Sequence, residues 1–213
     1  MHPKEEVFQK AKQIILNQVF ATDEFQILAI KFKEKWNSNL VNGDIYEYTQ
    51  MTNPMRLRLV FRAAEDLNNL PKLWSEKQEL VSNLFKTILQ KANPELYLKC
   101  SLLTLEVDYF IFDELAFQEC VNQIDTGIVR FEFKEYQIWK IEQFWKYFTV
   151  FYKTNEEVKK NEELGINERI KIKFQEEAKK NDPFLVLKFK FVSVNFDSKE
   201  NYERAGGGYN YYR

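Results

Sequence analysis

The ten residues LLTLEVDYFI, from Leu102 to Ile111, decide the fold class of this chain. Apolar and polar side chains alternate through them, a pattern that is typical of a half-buried β-strand. Before this stretch, apolar residues recur every three or four positions, as they do in amphipathic helices. The change of period divides the chain into a first part rich in helices and a second part rich in strands.

The same periodicity predicts the individual elements. Helices are predicted at 3–20, 24–40, 54–67, 75–91 and 114–124, and strands at 103–111, 129–133, 146–153, 170–174 and 185–191. The charged stretch 155–164 predicts a solvated helix or a hairpin tip. No internal repeat is visible in the sequence. Helices followed by strands indicate an α+β fold, with N-terminal helices packed on a mostly antiparallel, curved sheet formed by the C-terminal half.

The length of 213 residues lies within the usual range for one domain. Hydrophobic residues make up 45% of the chain, which is enough to form a sizeable core. We therefore predict a single α+β domain over residues 1–196, helical over 1–92 and formed mainly of strands over 96–196. A tail at 197–213, which contains tyrosine and glycine, follows this domain.

Composition limits the classes of function and compartment. The chain has 31 Lys and Arg against 32 Asp and Glu, so it lacks the overall positive charge of most nucleic-acid-binding proteins. Its two cysteines, Cys100 and Cys120, form no CxxC pair and fit a reducing intracellular compartment, such as the cytoplasm, the nucleus or an organelle matrix. No run approaches the roughly 20 apolar residues of a membrane span. We recognise no cleavable signal at the N-terminus.

The residue types that carry common catalytic chemistry are sparse. His2 is the single histidine, whereas a Ser-His-Asp triad or a His-ligated zinc site needs a positioned imidazole. Neither GxxxxGK[ST] nor GxGxxG occurs. Glu106, Asp108 and Asp113 offer paired carboxylates of the kind that two-metal sites use, but a solvated strand face explains them more simply. We expect no enzymatic activity, no cofactor and no metal site.

A set of lysines offers an alternative role in binding anions or nucleic acid. If the two predicted strands at 170–174 and 185–191 pair, four lysines lie on one face of the sheet, and Arg130 extends that face. The four lysines are Lys171, Lys173, Lys188 and Lys190. Positive surfaces with exposed aromatics bind single-stranded nucleic acid. Here the alternation puts the aromatic side chains on the opposite, core-facing side. Lysines also protect the solvent face of a strand, so we expect these four to be exposed with few hydrogen-bond partners.

The last thirteen residues, NYERAGGGYNYYR, form a distinctive tail. Its three consecutive glycines are costly to order. Tyrosines bury apolar area while keeping a polar group available, and they are enriched at protein interfaces. We predict that the tail is a partner-docking element whose tyrosines bury against another chain, or against the sheet when no partner is present. The candidate docking residues are Tyr202, Tyr209, Tyr211 and Tyr212.

These observations favour a non-catalytic structural or accessory subunit of a larger intracellular protein assembly, with other protein subunits as its partners. The alternative is a nucleic-acid-binding accessory domain that uses the lysine-rich sheet face. Exposed apolar residues on the N-terminal helices and an ordered tail would favour the first hypothesis. A continuous basic face would favour the second, and converging buried carboxylates would favour an enzyme.

Overall fold

A computed structural model describes residues 5–47, 55–101 and 105–212, apart from the side chain of Tyr209. The chain divides into two compact units, Met1–Leu115 and Ala116–Arg213. Helices accompany two small mixed sheets, so the predicted α+β class is confirmed. The sheets are only partly antiparallel. That residues 1–196 fold as one domain stays a prediction.

The first unit holds a three-stranded sheet in the order β1-β2-β3. Its helices are α1 (Glu6–Ile15), α2 (Asp23–Trp36), α3 (Ala64–Asn68), α4 (Trp74–Ala92) and α5 (Pro94–Ser101), and its strands are β1 (Leu40–Glu47), β2 (Met55–Phe61) and β3 (Glu106–Ile111). Helix α6 (Phe112–Asn122) follows β3 and continues into the second unit. The β1–β2 pair is antiparallel and the β2–β3 pair is parallel.

The central strand β2, with the sequence MRLRLVF, organises the first core. Met55, Leu57 and Leu59 are buried, and the alternating Arg56 and Arg58 remain partly exposed. This period of two produces a strand, so the predicted helix over 54–67 is wrong for these residues. The core is completed by apolar side chains of α2, α4 and β3, among them Leu28, Phe32, Val81, Phe85, Leu89 and Val107.

The second unit holds its own three-stranded sheet in the order β4-β5-β6. After α6 come α7 (Thr126–Glu132), β4 (Lys140–Phe144), β5 (Tyr147–Tyr152), α8 (Asn155–Glu163), α9 (Ile166–Lys179), β6 (Ser193–Ser198), α10 (Lys199–Arg204) and α11 (Gly208–Tyr211). Single 3₁₀ turns lie at Lys134–Tyr136 and Val186–Lys188. The β4–β5 pair is antiparallel and the β5–β6 pair is parallel.

Three predicted strands of the second unit are wrong. Residues 129–133 lie largely in α7, whose Val129 is buried together with Phe133 one helical turn later. Residues 170–174 lie in α9, which buries a stripe spaced four residues apart through Ile170 and Phe174. Residues 185–191 form a 3₁₀ turn and irregular backbone, and only the following β6 is extended.

The remaining predicted elements agree with the structure. Helices are confirmed at α1, α2, α4, α6 and α8, and strands at β3 and β5. Leu103 and Thr104, which were predicted to begin the strand at 103–111, lie outside the described residues. Cys100 and Cys120 are buried and are not joined in a disulfide. None of the helices in the described ranges has the length and apolar character needed to cross a membrane.

The two units have the same order of elements, although the sequence shows no visible repeat. Each has an antiparallel hairpin, then helices, then a third strand parallel to the second hairpin strand, then a further helix. The turn after the second strand also matches: Asp66 accepts a hydrogen bond from the Ala63 N–H at 3.0 Å, and Glu157 accepts one from the Thr154 N–H at 3.1 Å. Each acidic residue satisfies an N–H at the start of its helix.

A glutamine clamp on the third strand of the first unit has a counterpart just before the third strand of the second unit. In the first unit, the Gln78 side chain accepts from the Val107 N–H at 2.7 Å and donates to the Val107 carbonyl at 2.6 Å. In the second, Gln175 accepts from the Val192 N–H at 2.9 Å and donates to the Lys190 carbonyl at 3.1 Å. In each unit the amide bonds to backbone groups as a neighbouring strand would.

Candidate functional site

The tail tyrosines pack on the aromatic face of the second sheet. The Tyr202 ring lies 5.0 Å from the Phe151 ring, and the Tyr211 ring lies 5.2 Å from it. The Tyr212 ring stacks on Phe144 with centroids 5.0 Å apart and an interplanar angle of 7°. These rings form one aromatic cluster that the β4–β5 hairpin and the two C-terminal helices build together.

Two carboxylates on the sheet receive the tyrosine hydroxyls. The Tyr202 hydroxyl donates to Glu142 at 3.1 Å, and the Tyr212 hydroxyl donates to the other oxygen of Glu142 at 2.9 Å. The Tyr211 hydroxyl donates to Asp197. Burial, reinforced by the bond to Glu142, raises the pKa of Tyr212 to about 12. Burial alone would raise the pKa of Glu142, but hydrogen bonds from Lys140 and the tyrosines outweigh it and lower that pKa.

The tail therefore lies against its own unit in the isolated chain. Tyr202, Tyr211 and Tyr212 are all half-buried there, and the side chain of Tyr209 lies outside the description. Packing against the sheet in the absence of a partner is one of the two arrangements that the sequence predicted. A role for these tyrosines in docking another chain stays a prediction.

The predicted lysine face has no sheet to support it. Lys171 and Lys173 lie on α9, Lys188 ends a 3₁₀ turn, and Lys190 follows in irregular backbone. The premise of a shared strand face is wrong because α9 has a helical period. Whether these residues bind an anion stays a prediction.

Several members of the basic set are engaged within the second unit, and Lys171 is ion-paired with Glu168 at 3.2 Å. Lys173 is ion-paired with Glu132 on α7 and, at 3.3 Å, with Glu177 on its own helix, contrary to the expectation of few partners. Arg130 donates to the Trp139 carbonyl at 3.2 Å. The contacts of Glu132 and Arg130 stabilise the packing of α7 against its neighbours.

The acidic residues of β3 are paired with arginines. Arg56 lies 2.8 Å from Glu106 and 3.4 Å from Asp108, and Arg62 lies 3.3 Å from Asp113. The carboxylates therefore face cations instead of converging on a shared site. Among the described residues, no group of three or more His, Cys, Asp or Glu side chains is placed to hold a metal ion.

The tip of the β4–β5 hairpin carries an unusual tryptophan. Trp145 is in the left-handed conformation at φ +59°, which is rare for a bulky side chain, and it is 79% exposed. Its carbonyl accepts hydrogen bonds from the Gln118 side chain at 3.2 Å and from the Gln143 side chain at 2.9 Å. The turn is held in place while the indole projects into solvent.

A second exposed apolar segment precedes β6. Leu185 is 69% exposed, and Phe189 and Phe191 are 79% and 78% exposed. The buried Phe184, Val186, Leu187 and Val192 anchor the backbone around them. Asp182 accepts from the Val186 N–H at 3.1 Å and the Leu187 N–H at 2.8 Å, and the Gln175 clamp holds the other end.

These two segments border neighbouring residues of α6. Gln118 contacts the hairpin tip, and the adjacent Phe117 has the Lys190 ammonium 5.8 Å from its ring centroid. We name the combined feature the Trp–Lys–Phe surface, which comprises Trp145, Lys146, Leu185, Lys188, Phe189, Lys190 and Phe191. Sequence reasoning missed it because the alternation of Lys with Phe was interpreted as a strand with its aromatics in the core.

The first unit has an exposed apolar feature of its own. Helix α2 buries Phe25, Leu28 and Phe32, while Ile27 and Ile30 on the same helix are 39% and 56% exposed. The segment between α1 and α2 adds further exposed apolar residues. We name the whole the N-terminal apolar set; its members are Leu16, Val19, Phe20, Ile27 and Ile30.

Comparisons of the chain with protein-family models, with curated proteins and with solved structures find no match.

Proposed function

We propose that this chain is a non-catalytic structural or accessory subunit of a larger intracellular protein assembly, acting through protein–protein contacts. The observation that carries the proposal is the outer face of α2. A helix whose apolar residues lie on one face packs against one neighbour. A helix that also has apolar residues on its opposite face is usually covered by a neighbour on each face. The core covers the face that carries Leu28, and Ile27 and Ile30 remain exposed.

The neighbouring residues of the N-terminal apolar set support the same interpretation. Phe20 is 86% exposed, and the linker that carries it is tied to α2 by a hydrogen bond from the Gln26 side chain to the Ala21 carbonyl at 2.7 Å. Single exposed apolar residues are common on protein surfaces, but a group along one helix and its linker favours an interaction surface. A partner helix or sheet with apolar side chains would bury this group.

Two aspartates on the outer face of α2 test the proposal. The double variant Ile27→Asp/Ile30→Asp should lose stoichiometric partner subunits in native mass spectrometry of the complex purified from its source. Because both positions are exposed, the variant should keep its stability to within about 0.5 kcal/mol. The matched control, Lys72→Asp, introduces the same side chain at an exposed position outside α2 and should keep the partners. A wild-type chain that purifies alone at its own mass, or a double variant that keeps every partner, would overturn the proposal.

A further inference from the structure

We propose that the Trp–Lys–Phe surface of the second unit docks on an anionic membrane surface. This inference goes beyond the proposed function and does not depend on it, because the protein-contact proposal rests on residues of the first unit. The occupant is a lipid bilayer whose headgroups carry negative charge. The chain would lie on the bilayer through inserted side chains, without crossing it.

The apolar side chains of the Trp–Lys–Phe surface project from a fixed backbone. The Trp145 carbonyl is held by two side-chain amides, and the segment around Phe189 and Phe191 is held by Asp182 at one end and Gln175 at the other. Leu185 and Trp145 both have a positive φ, of 58° and 59°. A side chain with a Cβ is disfavoured in that conformation. At both points, therefore, an unfavourable backbone conformation accompanies a large apolar side chain that the rest of the unit does not cover.

The side-chain chemistry of the Trp–Lys–Phe surface suits a membrane interface. Tryptophan places an apolar ring with one polar N–H at the membrane interface, and phenylalanine and leucine insert more deeply. Lysines beside them reach the headgroups, and each contributes about fivefold to binding on an anionic surface. Lys146 follows Trp145 directly, and Lys188 and Lys190 alternate with the phenylalanines. The nearby acidic Asp182 is engaged as a cap of two backbone N–H groups.

The geometry favours lipid over nucleic acid and over a folded partner. The Lys188 ammonium lies 5.5 Å from the Phe189 ring centroid and covers one of the two ring faces, which reduces the aromatic area available for base stacking. Leu185 has no aromatic face to offer. A folded protein would need a separate pocket for each projecting side chain, whereas a fluid bilayer accepts all of them at once.

Vesicle binding of the full chain tests the proposal. The protein should sediment with phosphatidylcholine vesicles that contain about one third phosphatidylserine. It should bind pure phosphatidylcholine about 100-fold more weakly, because the three lysines, at about fivefold each, lose their anionic partners. The Phe189→Ala/Phe191→Ala variant should lower the partition coefficient at least tenfold, because each phenylalanine that is removed takes away a large buried apolar area. Lys188→Glu should lower binding to the anionic vesicles and leave the weak binding to neutral ones unchanged.

A matched control and one competing outcome complete the design. Phe20→Ala removes a comparably exposed aromatic from the first unit and should leave vesicle binding unchanged. All substituted positions are exposed, and circular dichroism should show the same helix content as the wild type. Equal sedimentation of wild type and double phenylalanine variant would overturn the proposal. So would binding of a fluorescent single-stranded oligonucleotide, lost in both surface variants, without any binding to vesicles.

Discussion

Replacement of Gln78 by alanine tests the glutamine clamp on β3. The substitution removes two hydrogen bonds to Val107, measured at 2.7 Å and 2.6 Å, from a residue that is fully buried. An intramolecular hydrogen bond contributes about 0.5–1.5 kcal/mol net, so the pair contributes about 1–3 kcal/mol. Because Gln78 and Val107 line an open groove, water can reach the freed groups, and we expect a value near the lower end.

Two measurements detect this loss of stability. The urea midpoint of the full chain should fall, and the Val107 amide should exchange with solvent roughly 5- to 100-fold faster by NMR. The variant Gln78→Glu separates the two bonds. Its carboxylate still accepts from the Val107 N–H but cannot donate to the carbonyl, whereas the protonated acid can do both.

The pH dependence of Gln78→Glu has a definite sign. The introduced carboxyl faces the Val107 carbonyl oxygen, to which only the neutral acid can donate a hydrogen bond. The pKa of this carboxyl should therefore lie above its ordinary value of about 4.3. Its contribution is therefore fully present below the ordinary pKa and is lost as pH rises through the folded-state pKa. The variant should approach wild-type stability at pH 4 and fall behind it at pH 7. Unchanged Val107 exchange in the alanine variant, or a pH-independent deficit in the glutamate variant, would refute the clamp.

Two further predictions concern the tail. Burial raises the pKa of Tyr212 to about 12, so its contribution to stability is present below its ordinary pKa of about 10 and is lost between about pH 10 and pH 12. In urea titrations over this pH range, Tyr212→Phe should therefore lose less stability than the wild type. Parallel stability curves for the two proteins would contradict the reasoning. Deletion of 211–213 removes two half-buried tyrosines, whose burial stabilises the fold by about 1–1.5 kcal/mol each, together with the hydrogen bonds of their hydroxyls. It also removes the entropic cost of ordering this backbone, about 2–4 kcal/mol. We expect the free energy of unfolding to fall by about 1 kcal/mol, seen as a melting temperature several degrees lower. An unchanged melting temperature together with weaker recovery of partners would instead support the docking role of the tail.

Sequence periodicity located the elements whose apolar residues follow a single period and failed where a short window fitted both the helical and the strand period. The stripe of α4 extends over five turns, and the alternation of β3 runs through residues 105–111, so both were predicted correctly. The segments MRLRLVF and IKIKF are too short for the period to decide. In β2 the arginines can alternate with core residues because Arg58 is paired with Asp44 and, at 2.6 Å, with Glu5, which are distant in sequence.

The candidate surfaces were harder to predict than the class of fold. Alternation of Lys with Phe at residues 188–191 looks the same whether the aromatics face a core or solvent. In the structure, hydrogen bonds to Gln175 and Asp182 fix the backbone of this segment, and Phe189 and Phe191 point into solvent. The matching order of elements in the two units was invisible for a similar reason: it is carried by strand pairing and caps, which tolerate extensive change in the side chains.

The parallel pairing of the third strand has a consequence for how the protein is made. Each hairpin can close from local contacts, but β6 joins β5 only after two intervening helices, with Tyr152 opposite Ser198. Since β6 follows β5 only after α8 and α9, the whole hairpin leaves the ribosome before the edge of β5 can be covered. That edge belongs to YFTVFY, an uncharged and strongly β-forming segment of the kind that aggregates when exposed. The interval before β6 emerges is therefore the period in which the nascent chain most needs protection by a chaperone.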